Sequence, residues 1–428
     1  MLDEAHTVPE IATNHFGISL SSYSIERALK ILYNPKTKKG LLSKYGSRRE
    51  QETVVRALDA SNSFFNEIRR RYLDQTDVLR LHKPNWTEPL LHRPLGTVSS
   101  QLKQLRQDIQ EESAQQELAD HASKLDAMLK GLTHCLALEE NDEVYWLEKT
   151  GRRRTIVSLR TAPIDVASFL RDAVFQRETS VTLTSATLSS GQGMAPYLRR
   201  VGAEGEDIGI EASPFDYENN VRIFVAEDAP GPERGSGRLD IEYLADTIAF
   251  CAQQVEGGTL ALFTSYADMN KVAARLAEPL AKVKRQLLTQ GAGLSRLELK
   301  ARFVEAENAV LLGTESFWTG FDVPGPALSQ VIITRLPFEI PTHPIAEARA
   351  EWIRQHGGNP FAAMTLPEAV IQFRQGIGRL IRKQDDRGRM VILDSRILKK
   401  EYGRHFIEAL PKRDYARFTR FDRADIMA

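Results

Sequence analysis

From about residue 214 onward, short apolar runs alternate with segments whose apolar residues recur every three or four positions. Val221–Val225, Thr259–Phe263, Val310–Gly313, Val331–Thr334 and Met390–Leu393 read as strands, and Leu239–Val255, Ala267–Leu276, Leu294–Ala306 and Leu366–Ile381 as helices. Strands that are apolar without alternation are covered on both faces, and strands joined through helices run parallel. The fold class expected is therefore α/β, a parallel sheet with helices on both faces. Between about Ser21 and Arg154 the pattern is helical instead, most clearly through Ile25–Leu32, Val54–Tyr72 and Leu118–Leu138, with breakers at Asn34-Pro35, Gly40, Pro84 and Pro94-Leu95-Gly96. Ser180–Thr184 reads as one more buried strand, ending in hydroxyl-bearing residues.

Chemistry enters with Gln375-Gly376-Ile377-Gly378-Arg379-Leu380-Ile381-Arg382. The segment opens at Leu366-Pro367-Glu368, a proline and an acid in a first helical turn. Arg379 follows Gln375 by four residues and Arg382 follows Arg379 by three, so a continuous helix would present an amide and two guanidiniums on one face. Two rigid donor forks suit a polyphosphate whose charge moves during bond breaking, although an arginine pair at this spacing is ordinarily a solvated face. Gly378 is expected to admit a neighbouring backbone. At the other end, Leu2-Asp3-Glu4-Ala5-His6 offers two acids able to hold Mg²⁺ through water and to polarise a hydrolytic water.

Thr184-Ser185-Ala186-Thr187-Leu188 and Gly313-Thr314-Glu315-Ser316-Phe317-Trp318-Thr319-Gly320-Phe321-Asp322-Val323-Pro324-Gly325 complete the set. In this order the four motifs resemble the second, third, fifth and sixth helicase motifs of superfamily 2, worded as in DinG-type DNA helicases, relatives of XPD. Ala162-Pro163-Ile164-Asp165-Val166, Ser213-Pro214-Phe215-Asp216-Tyr217, Arg335-Leu336-Pro337-Phe338 and Leu393-Asp394-Ser395-Arg396 belong to the same pattern, which runs over almost the whole chain.

The resemblance implies a remnant of a first RecA-like lobe with its DEAH box (1–20), a helical arch-like insert (21–154), a return to the first lobe (155–213) and a second RecA-like lobe (214–428). It implies ATP hydrolysis driving 5′-to-3′ movement on single-stranded DNA and unwinding of forked DNA. Asp3 would position Mg²⁺ and Glu4 would orient the attacking water. Gln375, Arg379 and Arg382 would reach the terminal phosphate of ATP, with Gly320 and Asp322 also at the nucleotide. His6, Ser185 and Thr187 would couple the nucleotide site to the DNA site. Thr264 and Ser265, following one strand, would contact the DNA backbone, and Arg48 and Arg49 would belong to a basic arch surface. The pattern departs from the family in one respect: no Gly is followed by Lys anywhere, so the phosphate-cradling loop is not found. The expectation is the downstream part of a helicase, through a start placed too late, or as one half of a split enzyme whose separate upstream half carries that loop. The alternative is a non-hydrolysing single-stranded DNA-binding module.

Composition changes this picture little. Formal charge is zero over the 428 residues, so total charge argues for no partner. Locally, residues 21–73 hold twelve basic residues against five acidic ones, while 101–126 is acid-rich and expected to face away from phosphate. Tyr23, Tyr33, Tyr45 and Trp86 suit either base stacking or core packing. Two cysteines, Cys135 and Cys251, cannot complete an iron–sulfur or structural zinc site within this chain, and read as small buried residues. Phe317 and Trp318 read as packing residues, with stacking open for Trp318. No apolar run approaches the ~20 residues that span a bilayer, so a cytoplasmic protein without a membrane partner is expected.

Overall fold

The computed structural model describes residues 1–427 except 152–154, 189–192, 232–240, 319, 320, 322, 324, 326 and 339–342, and the backbone alone of Glu315. The chain is an α/β structure built on two sheets. The smaller comprises β1 (Ser19–Ser21), β2 (Val78–Leu81), β3 (Glu143–Thr150) and β4 (Ile156–Pro163), antiparallel throughout in the order β1-β4-β3-β2. The larger comprises β5 (Val221–Ala226), β6 (Gly258–Leu262), β7 (Leu287–Thr289), β8 (Val310–Gly313), β9 (Leu328–Ile333), β10 (Gly388–Ile392) and β11 (Ala416–Phe418). Every pairing in it is parallel, and the strand order is β11-β5-β10-β9-β6-β8-β7.

Side-chain alternation explains why these strands read as unbroken apolar runs. Val221, Ile223, Leu260, Leu262, Val331 and Ile333 enter a core shared with helices Arg296–Glu305 and Leu366–Ile377. Their neighbours Phe224, Ala261, Phe263 and Ile332 enter a second core beneath helices Ile241–Gln253 and Tyr266–Lys282. Both faces are dry, so no polar alternation survives in the sequence.

Arg285 ties the starts of three of these strands together. Its guanidinium donates to the carbonyls of Gly257 at 3.0 Å and Asn308 at 2.8 Å, and to those of Glu256 and Val255. Arg285→Met is expected to strand these acceptors and lower stability by about 3 kcal/mol, since bonds to a charged donor contribute about 1.5–3 kcal/mol each. Urea unfolding of the two proteins measures it, and a loss under about 1 kcal/mol would mean that water replaces the guanidinium.

The helical reading of residues 21–154 is met by Ser22–Leu32, Arg48–Tyr72, His92–Asp108 and Glu112–Ala137, but it missed β2 and β3. Leu20, Leu147, Val157 and Leu159 face the long helices, whereas Val144, Trp146 and Ala162 face helix Pro344–Gln355. With both faces covered again, Val144-Tyr145-Trp146-Leu147 carries no period of two. Trp86 and Tyr33 pack with this helical core, the indole of Trp86 donating to the Cys135 carbonyl at 3.0 Å, while Tyr23 stays exposed. Cys135 and Cys251 are buried free thiols, each pushed up to about 12 by desolvation. Among the described residues no helix is long and apolar enough to cross a membrane.

The buried strand expected at Ser180–Thr184 is not formed. The segment is extended but meets one ladder partner, with Leu2 bridging Leu183 in parallel through bonds of 2.8 and 2.9 Å. A single bridge leaves Ser180 and Thr182 exposed. What the bridge does is lay the acid pair beside the hydroxyl-rich loop.

Candidate nucleotide and coupling site

That bridge brings Asp3 to Thr184, whose hydroxyl donates to Asp3 Oδ1 at 2.9 Å. The Glu4 backbone N–H and then the Thr184 hydroxyl hold the Asp3 carboxyl below its ordinary range, so it is ionised at neutral pH. Glu4 has a left-handed backbone, φ 50°, a conformation that costs a residue with a Cβ and reverses the chain into the short helical turn Ala5–Thr7. Tyr197 fixes that turn from outside. Burial pushes its phenol up to about 12, and the hydroxyl donates to the Ala5 carbonyl at 2.7 Å.

A polar chain leads away from the acids. His6 Nδ1 lies 3.3 Å from Glu4 Oε2 and 2.9 Å from Ser185 Oγ. Ser185 Oγ lies 3.4 Å from Thr187 Oγ1 and accepts from the Thr187 amide at 3.2 Å. Gln375 Nε2 then donates to Thr187 Oγ1 at 3.5 Å, crossing from the helix that covers the parallel sheet. Asp3, Glu4, His6, Ser185, Thr187 and Gln375, read from three separate stretches of the sequence, are thus neighbours in one constellation. A chain of hydroxyls and an imidazole is suited to passing a small displacement from one end to the other, since each member's orientation is set by the next.

The arginines differ from the sequence reading. Helix Leu366–Ile377 ends before them, with Gly378 as its cap, so Gln375, Arg379 and Arg382 do not share a helical face. Gly376 and Gly378 weaken the last turn, and Asp386 captures the amides of Arg382 and Lys383 at 2.8 Å, drawing the chain away. Arg379 nonetheless folds back, its Nε donating to the carbonyls of Gln375 at 3.1 Å and Trp318 at 3.2 Å. The close approach expected at Gly378 occurs at Gly376, where a Cβ would sit 2.7 Å from the Trp318 ring. Trp318 and Phe317 are fully buried, and the Trp318 indole donates to the Phe263 carbonyl at 3.0 Å, which excludes base stacking by Trp318 in this arrangement.

The remaining candidates lie apart. Gly320 and Asp322 fall outside the described residues. Thr264 is exposed after β6, while Ser265 spends its hydroxyl capping helix Tyr266–Lys282 through the Asp268 amide at 3.3 Å. Arg48 and Arg49 are exposed in the first turn of helix Arg48–Tyr72, Arg48 paired with Glu52 at 2.9 Å. Sequence reasoning passed over Thr184, Tyr197 and Gln290. Gln290 accepts from the Thr314 amide at 2.7 Å and donates to Ser316 at 3.0 Å, organising the ends of β7 and β8. Thr184 was legible as the first residue of its motif; Tyr197 and Gln290 act through tertiary contacts that leave no local pattern.

Comparison with known proteins gives this geometry its relatives. The profile of the helicase C-terminal domain matches residues 248–413. The chain is 33% identical to the ATP-dependent DNA helicase YoaA of Escherichia coli, an alignment covering 98% of this chain and 64% of that protein. It is 31% identical to the protein named 3′-5′ exonuclease DinG of Bacillus subtilis, covering 98% of this chain and 49% of that one, and 30% identical to the ATP-dependent DNA helicase DinG of Photobacterium profundum, covering 96% and 63%. The chain therefore spans about half to two thirds of the length of the curated relatives it matches. Two solved XPD structures superpose over 97% of this chain with TM-scores of 0.59 and 0.57, covering 76% and 67% of theirs at 16% identity, a likeness of fold. A helicase C-terminal domain profile, relatives similar along nearly the whole length of this chain and an XPD-like fold agree, and the chain is similar to the DinG and YoaA helicases over nearly all of its residues.

Proposed function

We propose that this chain supplies the acid pair, the coupling loop and the arginine-bearing lobe of an ATP-dependent DNA helicase that moves 5′-to-3′ on single-stranded DNA. The observation that carries the reading is the polar path Glu4–His6–Ser185–Thr187–Gln375, which joins the acid segment to the helix that ends just before Arg379. Asp3, ionised and partly free of protein donors, fits a hard cation held largely through water, and Mg²⁺ bound there would neutralise phosphate charge. Glu4 orients the attacking water, and Arg379 and Arg382 stabilise charge on the terminal phosphate; Gly320 and Asp322, outside the described residues, are assigned to the nucleotide by the resemblance alone. Thr264 offers an exposed hydroxyl to the DNA backbone, Ser265 fixes the helix beside it, and Arg48 and Arg49 add a basic surface. In this reading 1–20 and 155–213 are first-lobe segments, 21–154 the arch and 214–428 the second lobe.

The 428 residues hold no Gly-Lys pair of the kind that ends a phosphate-cradling loop, so in this reading the cleft is completed by a segment carrying such a loop, either upstream in the same protein or on a separate polypeptide. The expected result is negligible ATP turnover by the purified chain, with or without single-stranded DNA, together with DNA binding that weakens steeply with salt. Restored, DNA-stimulated turnover on adding the loop-bearing half supports the proposal. DNA-stimulated turnover by the chain alone, abolished by Arg379→Ala, would overturn the need for a partner. Salt-sensitive binding that never responds to nucleotide, even with that half present, would leave a binding module.

A further inference from the structure

Helix Pro344–Gln355 belongs by chain order to the parallel-sheet lobe, between β9 and helix Leu366–Ile377, yet it packs elsewhere. Ala348 and Ile345 join Val144, Trp146, Ala162 and Ile164 on the antiparallel sheet. On the same helix Glu347 and Glu351 meet Arg80 of β2 at 3.6 and 2.8 Å. Arg349 reaches a third body. Its Nε donates to the Ile164 carbonyl at 3.0 Å and its Nη2 to the Thr13 hydroxyl at 2.8 Å. Thr13 is 2% exposed, and its hydroxyl donates in turn to the Pro9 carbonyl at 2.7 Å, inside helix Val8–Phe16, which starts directly after the acid turn. Beside it, Glu368 in the first turn of helix Leu366–Ile377 pairs with Arg200 at 2.8 Å, on the short helix whose Tyr197 holds Ala5.

Burial pushes the Arg349 guanidinium down to about 10, with Arg200 adding to the shift and Glu368 opposing it, so the group is still a cation at neutral pH. Among the described residues its acceptors are a carbonyl and a hydroxyl from two different segments, with no carboxylate within ion-pair distance. A buried charge held this way contributes little net stability, but a planar fork with fixed donor directions tolerates one mutual placement of its acceptors. Its use is therefore registration rather than strength.

We propose that Arg349 is a positioning residue that sets the register of the acid-bearing segment against the parallel-sheet lobe, with helix Pro344–Gln355 as the strut through which the antiparallel sheet shares that register. The consequence for nucleotide coupling rests on the function proposed above; the placement does not. Movement of Arg80 and β2 would then tilt the strut and reach Asp3–His6 by a route that avoids Gln375 altogether. Such a route suits a motor in which DNA held by one body must be felt at the acids of another.

The test uses the whole chain with Arg349→Met, which keeps the stem and removes the fork, and Arg349→Lys, which keeps the charge. Amide hydrogen exchange in residues 8–16 is expected to accelerate about tenfold or more in the Met variant, while β6, β9 and β10 exchange as before. Lys is expected to leave that protection as low as in the Met variant, with the urea midpoint of both variants close to that of the parent. Single-stranded oligonucleotide affinity without nucleotide should stay within about twofold, and its change on adding Mg·ATP, with the loop-bearing half present, should disappear. Unchanged exchange in 8–16 would overturn the proposal. So would faster exchange spread evenly over both sheets with a lowered midpoint, the mark of a plain structural prop. If the unsubstituted protein shows no nucleotide effect, the function proposed above fails, and the exchange result still decides the role of Arg349.

Discussion

Arg379→Ala is expected to lower DNA-stimulated ATP turnover by about 10³-fold or more in the cleft completed by a loop-bearing half, because an arginine supplied to a transferring phosphoryl group contributes about 10³ to 10⁵ in rate. The size of the loss follows from how the residue is held. Its Nε is committed to the carbonyls of Gln375 and Trp318, which aims the rest of the guanidinium before any ligand arrives. Preorganised charge is worth more than charge that must be ordered during the reaction. Arg379→Lys should recover little of the rate, since an ammonium can neither keep both carbonyls with a fork nor match a phosphate in two places. Nucleotide affinity should fall far less than turnover, as the interaction is strongest where charge develops. Single-turnover kinetics on the three proteins separate the terms. Turnover of the alanine variant within about tenfold of the parent would remove Arg379 from the chemistry and leave it as a local prop for the Gln375 turn.

Much of the parallel-sheet lobe was legible because its strands obey one strong constraint: burial on both faces makes them short, apolar and unmistakable against amphipathic helices. The same constraint hid β3, where Val144-Tyr145-Trp146-Leu147 shows no period of two, although Asn141-Asp142 and Gly151 bound the strand. The constellation of Asp3, His6, Ser185, Thr187 and Gln375 was legible only through the resemblance; spacing alone could not place residues 3 and 185 side by side. Where the reading went wrong, at Arg379 and Arg382, a helical period was carried through two glycines that end the helix at Ile377. Arg349 and Tyr197 were not legible at all, because their partners Thr13, Ile164 and Ala5 lie far off in sequence and nothing local marks them.

Trp318→Ala is expected to produce the largest loss of stability, about 4–5 kcal/mol, because it combines three separate injuries. Removing a fully buried indole leaves a cavity, and large aromatic truncations cost about 3–5 kcal/mol. The Phe263 carbonyl loses its donor at the end of β6, where burial denies it water. Gly376 loses the surface it packs against, so helix Leu366–Ile377 can settle toward the void. That settling is what connects the substitution to function, since Gln375 lies next to Gly376 and reaches Thr187 at the outer limit of a hydrogen bond, 3.5 Å. A shift of a few tenths of an ångström would break the path from the acids to the second lobe before the lobe unfolds. Trp318→Phe separates the effects: it refills most of the space but offers no N–H, and about 1–2 kcal/mol of the loss should remain. Urea unfolding gives the energies, and nucleotide-dependent DNA affinity below the transition reads the coupling. An alanine variant that keeps both its stability to within about 1 kcal/mol and its nucleotide response would show that the helix carrying Gln375 is seated by the sheet alone.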